Sequence, residues 1–468
     1  MVAIAHLLGN AAFEVTYKGL SEELRRESSR RVLDFMGNSL AATELPIAEI
    51  IKNVVTAWAG PADSFAIGAG KLPSSSAALL NGTLAHSLDF DDTHLPSVLH
   101  PSASVVSAAL AVGSKLNSKP TDVLDAITFG IEVTCRLGMA GFDRELGNSV
   151  FFERGFHATS ICGTLGSATA AAMLMKLSSD QISSAIGIAA SMGAGLLEAN
   201  RTGGTVKRTH CGWAAHGGVV AAELAQAGLT GPPTVVEGRF GFMQAYCGDQ
   251  VNLNAITENL GLSWVLPDLF FKPYPCNHFT HAGIDAVRLL RTKGITPDQI
   301  ESLELGVPTP VLRTIAEPRE SKIKPESGYH AAFSGPYTVA AAFYRDNGLG
   351  LFHEDFDDEA AKDPEILALA AKVTVASSAE CEAIYPYQLP AVLTAHLKDG
   401  SSVTEKVLVN RGGPQNPLSN AELALKFESN VRSIMTPEKA QKLSEIIFGF
   451  ATDQYSLDDL TDLLDVLI

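Results

Sequence analysis

From about Ser21 to Leu266 apolar residues recur at helical spacing among abundant Ala, Leu and Gly, and alternation of the strand type is scarce. That texture predicts a large helical domain. Ser178-x-x-Gln181 reads as a capping box ahead of IGIAASMGAGLL, and Thr121 as the cap of VLDAITFGIEV, with Asp122 and Asp125 in its first turn. Thr159 or Ser160 stands where a cap belongs before the longest apolar stretch, Ser160 to Leu177. That stretch falls short of the ~20 apolar residues a membrane span needs and reads as a buried helix.

After Pro275 a helix is predicted from about His278 to Lys293, with Ile284, Val287 and Leu290 on its apolar face and Gly294 as its C-cap. The period then changes. Leu303, Leu305 and Val307 alternate with polar or small neighbours, as does the run from Lys372, and Asp399-Gly400 lies between AVLTAHL and SVTEKVLV as a hairpin signal. An Ala-rich helix is expected from about Tyr329 to Tyr344. The acidic run Glu354 to Asp363 reads as a solvated helix face or loop, and Arg411-Gly-Gly-Pro414 as a breaker before two closing helices. The fold class is therefore mostly α with a smaller α+β part.

Composition narrows the function. With 468 residues, 46% hydrophobic and 19% charged, the chain can build a large core over two or three domains. A formal charge of −17 argues against nucleic acid as a partner, and no segment suits a membrane. Six scattered cysteines lack C-x-x-C spacing, and the first residues lack the basic n-region of a signal peptide, so a reducing, cytoplasmic location is expected.

Four stretches could carry chemistry. His86, His94 and His100 crowd beside Asp89, Asp91 and Asp92 in a chain with 12 histidines in all. Carboxylate beside imidazole can orient a base or bind a metal, and a polar turn with capping aspartates is the plain structural alternative. Gly203-Gly204-Thr205-Val206-Lys207-Arg208-Thr209-His210 offers a glycine pair and three potential cations to a carboxylate, without P-loop spacing. Lys272-Pro-Tyr-Pro-Cys-Asn-His278-Phe-Thr-His281 stiffens the chain before a helix N-terminus, and His157 precedes the long apolar helix. No G-x-S-x-G elbow or activated cysteine is evident, which favours acid–base over acyl chemistry.

Taken together, NGTLAHSLDFDDTH with HPSASV, GFHATSICGTLGSATAAA, GGTVKRTHCGWAAHGG and KPYPCNHFTHAGIDA resemble the MmgE/PrpD family over nearly the whole chain. The resemblance implies a homodimer, a helical domain of about 1–266 and 412–468, an α+β lid of about 267–411, and catalysis without metal or cofactor on a small di- or tricarboxylate. Carried over residue by residue, it implies catalytic roles for Asp89, His100, His157, Lys207 and Lys272, with Thr93 matching a further family position. Arg208, Asn277 and His278 are expected to help bind substrate. Family decarboxylases have a histidine where Asn277 stands, and a tyrosine that is missing near Arg313 to Ala316. Family dehydratases tend to read W-G-H-P-S-D where this chain has Val98-Leu99-His100-Pro101-Ser102-Ala103.

The expected mechanism has Lys207 and Lys272 holding carboxylates, His100 and His157 moving protons, and Asp89 tuning a histidine. The leading expectation is a dehydratase of a citrate-like acid. Its alternatives are an epimerase, a cis-aconitate-type decarboxylase and a non-catalytic carboxylate binder.

Overall fold

The computed structural model describes residues 2–199 and 204–465, so Gly203 of the glycine pair lies outside the described residues. The chain forms two compact units, one of Met1–Leu269 with Leu423–Ile468 and one of Phe270–Glu422.

The first unit is built from α1 (Ile4–Lys18), α2 (Glu22–Ala41), α3 (Ser74–His86), α4 (Ser102–Lys115), α5 (Pro120–Ala140), α6 (Ala158–Leu174), α7 (Ser179–Ala189) and α8 (His210–Gln226). Every residue of α6 is buried, because α4, α5, α7 and α8 surround it. A helix enclosed on all sides has no solvated face, which is why its sequence is small or apolar apart from Ser and Thr and carries no charged residue. Small residues permit the close approach. A Cβ on Gly212 of α8 would fall 2.2 Å from the Leu79 carbonyl of α3, and one on Gly82 of α3 would fall 2.8 Å from the Gly212 Cα.

The capping box at Ser178 and Gln181 is present at the start of α7. Two other expected caps are not. Thr121 lies inside α5, which begins at Pro120, and both its N–H and its hydroxyl donate to Asp453. Asp125, about one turn further in, is buried and paired with Arg25 rather than serving the helix end. At α6 the N-cap residue is His157, while Thr159 and Ser160 turn their hydroxyls to other work.

The second unit centres on a four-stranded sheet formed by β1 (Ile300–Val307), β2 (Val373–Ser377), β3 (Ala391–Leu397) and β4 (Ser402–Val407), in the order β2-β1-β3-β4. β1 pairs parallel with β2 and antiparallel with β3, and β3 and β4 form the hairpin across Asp399-Gly400, with Gly400 at φ +86°. Ile300, Leu303, Leu305 and Val307 bury the core side of β1. α9 (His281–Thr292) packs on β3, β4 and α10 (Gly335–Tyr344), and the three residues before it, His278–Thr280, form a 3-10 turn.

The helix expected from Tyr329 to Tyr344 is broken in two. Gly328–Ala331 ends before Ser334, whose side chain accepts from the Tyr337 N–H and starts α10 afresh with Pro336 in its first turn. The acidic run is only partly solvated, since Asp355 is buried and Asp363 caps the helix Pro364–Ala370. At its end the chain forms three helices rather than two, α11 (Asn420–Val431), α12 (Pro437–Gly449) and α13 (Leu457–Asp465). Thr436 with Pro437 starts the second, and Asp453 at φ +52° separates it from the third. Among the described residues no helix is long and apolar enough to cross a membrane.

Gly212→Ala is expected to lower stability by about 1–3 kcal/mol, because backbone faces the added methyl and cannot yield as a side chain would. Urea unfolding checks this, and an unchanged midpoint would show that α3 and α8 separate at little cost.

Candidate active site

The site begins where α3 stops. His86 is the last residue of α3, and the connection that follows is pinned before His100 leads into α4. The Phe90 carbonyl accepts from Asn38 Nδ2 at 3.2 Å and from Lys426 Nζ at 3.0 Å, and the Lys426 ammonium also lies 3.6 Å from the Phe90 ring centre. Lys426 pairs with the buried Asp34 at 2.5 Å. Asp92 caps α4 by accepting from the Ser102 N–H and hydroxyl at 3.3 and 2.6 Å, with Arg31 3.9 Å away. Asp89 takes the left-handed conformation at φ 52°, which aspartate tolerates better than most residues.

Within this frame four imidazoles meet. His86 Nδ1 lies 2.8 Å from Asp91 Oδ2, and its ring centre is 5.5 Å from that of His100 and 5.6 Å from that of His157. His100 Nδ1 lies 2.7 Å from the Asp92 carbonyl, which assigns the proton to Nδ1 because a carbonyl only accepts. Thr93 Oγ1 is 3.4 Å from the same nitrogen, and the His100 N–H donates to Thr159 Oγ1 at 3.1 Å. His157 Nδ1 lies 2.9 Å from His210 Nδ1.

The backbone around that last pair is equally fixed. The His157 N–H donates to the Gly195 carbonyl at 3.0 Å, and Ser160 Oγ donates to the His210 carbonyl at 2.9 Å. Gly195 lies so close that a Cβ there would come within 3.2 Å of His157 Cβ and 3.4 Å of His210 Nδ1.

The charge states differ by position. Burial opposes charge on His86, but Cys211 and Asp91 beside the ring outweigh it and raise its pKa to about 10. Burial pushes the Cys211 thiol up as well, so it stays neutral near pH 7 and the carboxylate of Asp91 is what holds the His86 proton. Burial drives His157 well below its ordinary value, helped by His86 and Lys207, and lowers His210 to about 4 for the same reasons. His210 is therefore a neutral imidazole rather than the cation its motif suggested. His94, lowered by burial to about 3 and 2.7 Å from Ser97 Oγ, is structural.

The first unit thus brings together Asp89, Thr93, His100, His157 and Lys207. Lys207, half-buried in the 3-10 turn Val206–Thr209 that opens α8, has its ammonium 3.9 Å from Asp89 Oδ1, and Arg208 occupies the same turn. The carboxylate seen against the histidines is Asp91, whereas Asp89, the expected tuning group, faces Lys207. Lys272, Asn277 and His278 belong to the second unit. Lys272 is buried there, and the His278 ring packs between Phe270 and His281, at 5.6 and 4.7 Å. Asn277, expected on substrate, accepts with Oδ1 from the Phe279 N–H at 3.0 Å and so caps the turn.

Sequence reasoning left His86, Asp91, His210 and Cys211 out of the site. The first two stood within the histidine–aspartate cluster, but nothing in their spacing shows that Asp91 rather than Asp89 turns inward. His86, Asp91 and Cys211 also place three potential metal-ligand atoms within 4.8 Å of one another, the group of this kind among the described residues.

A mostly helical chain with a smaller α+β unit and a buried imidazole–carboxylate cluster defines a protein equipped for proton transfer. The MmgE/PrpD N-terminal domain matches residues 7–254 and the MmgE/PrpD C-terminal domain residues 274–448, and the chain belongs to the MmgE/PrpD family. It is 30% identical to human cis-aconitate decarboxylase over 95% of this chain and 89% of that protein. The mouse protein of the same name is 29% identical over 95% and 88%, and cis-aconitate decarboxylase of Aspergillus terreus 24% identical over 99% and 94%.

Three histidines buried neutral make a prediction about acid. His94, His157 and His210 have folded pKa values below the ~6.5 of the unfolded chain, which therefore takes up protons first as the pH falls. Each contributes a loss of stability that starts below about pH 6.5 and deepens towards pH 4. His94→Gln is expected to lose less stability than the parent between pH 7 and pH 5 in parallel urea titrations, and an equal loss would show that His94 is already charged in the folded protein.

Proposed function

We propose that this chain is a cofactor-independent carboxy-lyase that removes CO2 from an unsaturated tricarboxylate of the cis-aconitate type. One observation carries the proposal, which is the placing of the half-buried His100 and the buried His157, both packed against His86, in the same unit as the half-buried ammonium of Lys207. The names of the relatives support decarboxylation, the alternative to the dehydration that sequence reading placed first.

Decarboxylation leaves an electron pair on carbon that has to be stabilised and then protonated. Cations fixed in a poorly solvated site stabilise such charge strongly, and a positioned acid finishes the step. Lys207 and Lys272 are the residues proposed to hold carboxylates, with Thr93, Arg208 and His278 contributing to binding. Asp89 holds Lys207, and His100 and His157 transfer protons. The hydrogen bond from His100 Nδ1 to the Asp92 carbonyl fixes the orientation of its ring for that purpose. Asn277, which stands where family decarboxylases place a histidine, favours dehydration of a citrate-like hydroxy acid as the second reading. A homodimer and a cytoplasmic location are part of the same proposal, the latter supported by six buried cysteines without disulfides.

Proton NMR in D2O with cis-aconitate, citrate and 2-methylcitrate in separate tubes tests the reaction. Loss of one carboxylate from cis-aconitate, with deuterium in the product, is expected. Interconversion of citrate and its alkene would establish the second reading instead, and no turnover of any of the three would overturn both. His100→Ala and His157→Ala, shown to be folded, are each expected to lose ~10²–10⁴-fold in kcat, and activity within a few-fold of the parent would remove them from the chemistry. Full activity is expected after exhaustive chelation, whereas a loss restored by added zinc would assign a metal to His86, Asp91 and Cys211.

A further inference from the structure

His86, Asp91 and Cys211 carry no role in the reaction proposed above. His86 is the last residue of α3, Asp91 lies in the connection that follows it, and Cys211 is the second residue of α8. All three are buried. One ligand atom from each, an imidazole nitrogen, a carboxylate oxygen and the thiol sulfur, lies within 4.8 Å of the other two. Nδ1 of His86 is 2.8 Å from Asp91 Oδ2, while its buried Nε2 makes no hydrogen bond to nitrogen or oxygen among the described residues, and the Cys211 thiol stands beside the ring.

Around a tetrahedral zinc, nitrogen, oxygen and sulfur ligands stand roughly 3.2–3.7 Å apart at their usual bond lengths, so shifts of under about 1 Å per side chain would close the three on an ion. The helix ends that carry His86 and Cys211 are fixed by the contact of Gly82 with Gly212, so the imidazole and the thiol are positioned by backbone packing. Magnesium and calcium prefer sites made of oxygen, whereas one nitrogen, one sulfur and one carboxylate suit an ion of the zinc type. The charge balances too. A ligand is a thiolate or a neutral imidazole, so a dication takes the place of one proton on His86 and one on Cys211, and the buried charge does not change.

We propose that His86, Asp91 and Cys211 form a binding site for a zinc-type divalent ion, and that filling this site inhibits the enzyme. The His86 ring centre is 5.5 Å from that of His100 and 5.6 Å from that of His157, and His100 Nδ1 is 4.0 Å from Asp91 Oδ1. Three protein ligands leave the fourth position of a tetrahedral ion open, and a neighbouring imidazole that fills it is withdrawn from proton transfer. The ion is an inhibitor and not a cofactor, in keeping with the full activity expected of the chelated protein. Inhibition rests on the proton-transfer roles proposed for His100 and His157, whereas binding at the site does not.

Cobalt(II) tests the site, because a thiolate ligand gives a ligand-to-metal charge-transfer band in the near ultraviolet that nitrogen and oxygen ligands do not. The parent is expected to bind one cobalt per chain with that band and to release it to zinc. Cys211→Ser, nearly isosteric, is expected to lose the band and, like Asp91→Asn, to bind zinc at least ~10²-fold more weakly, since even the outer partners of metal ligands are worth about 10–100-fold. No band in the parent, or a band retained in folded Cys211→Ser, would overturn the site. Inhibition is read with free zinc held by a metal buffer, because a tricarboxylate substrate itself binds the ion. Saturating zinc is expected to lower the parent's kcat ~10²-fold, as loss of a proton-transfer group would, and chelation to restore it. Cys211→Ser is expected to keep its own zinc-free rate. Zinc bound with kcat unchanged, or equal inhibition of Cys211→Ser, would overturn the inhibitory role. If the chelated parent turns over none of the three acids, it is the proposed function that has failed, and the cobalt spectrum still decides the site.

Discussion

The close crossing of α3 and α8 is the constraint on which the candidate site depends. Gly82 and Gly212 let the two backbones meet where any side chain would hold them apart. His86 ends one of these helices, and His210 and Cys211 begin the other. The distance between imidazoles is thus set by backbone packing, which is stiffer than any loop. α6, buried along its whole length, supplies the third position, because His157 is its N-cap residue.

The polar groups around this crossing lie deep, and their placement has a cost. Asp34, Lys426, Arg31 and Asp92 are all nearly sealed from water, and a buried ion pair roughly balances its desolvation against its attraction. Such groups are better understood as locators than as a source of stability. Lys426 satisfies Asp34 and the Phe90 carbonyl together, and Asp92 ends one segment while starting α4, so the connection between His86 and His100 has little freedom left.

Much of this was legible in the sequence, and the failures have a common physical origin. The helical periodicity, the capping box at Ser178, the hairpin at Asp399-Gly400 and the apolar face of α9 are local, and local interactions settled them. Thr121, Thr159 and Ser160 were read as caps because their neighbours in sequence allow it, yet their hydroxyls are used by Asp453, His100 and His210 from elsewhere in the chain. The break at Ser334 was written in Ser-Gly-Pro and was outweighed by the alanines that follow. For the site, motif resemblance reached residues proposed to touch substrate but not the ones that touch those residues. His210 stood in the same motif as Lys207 and was counted with the cations, since only burial shows it to be neutral.

Lys426 reaches the Phe90 carbonyl across 336 positions of sequence. A chain emerging from the ribosome presents its N-terminal helices long before that lysine exists, and the whole of Phe270–Glu422 has to be synthesised in between. The segment between His86 and His100 therefore waits, with the Asp34 carboxylate lacking its lysine, until translation is almost finished. A fragment cut short before α11 would carry every histidine of the cluster and still lack the side chain that ties their connecting segment down.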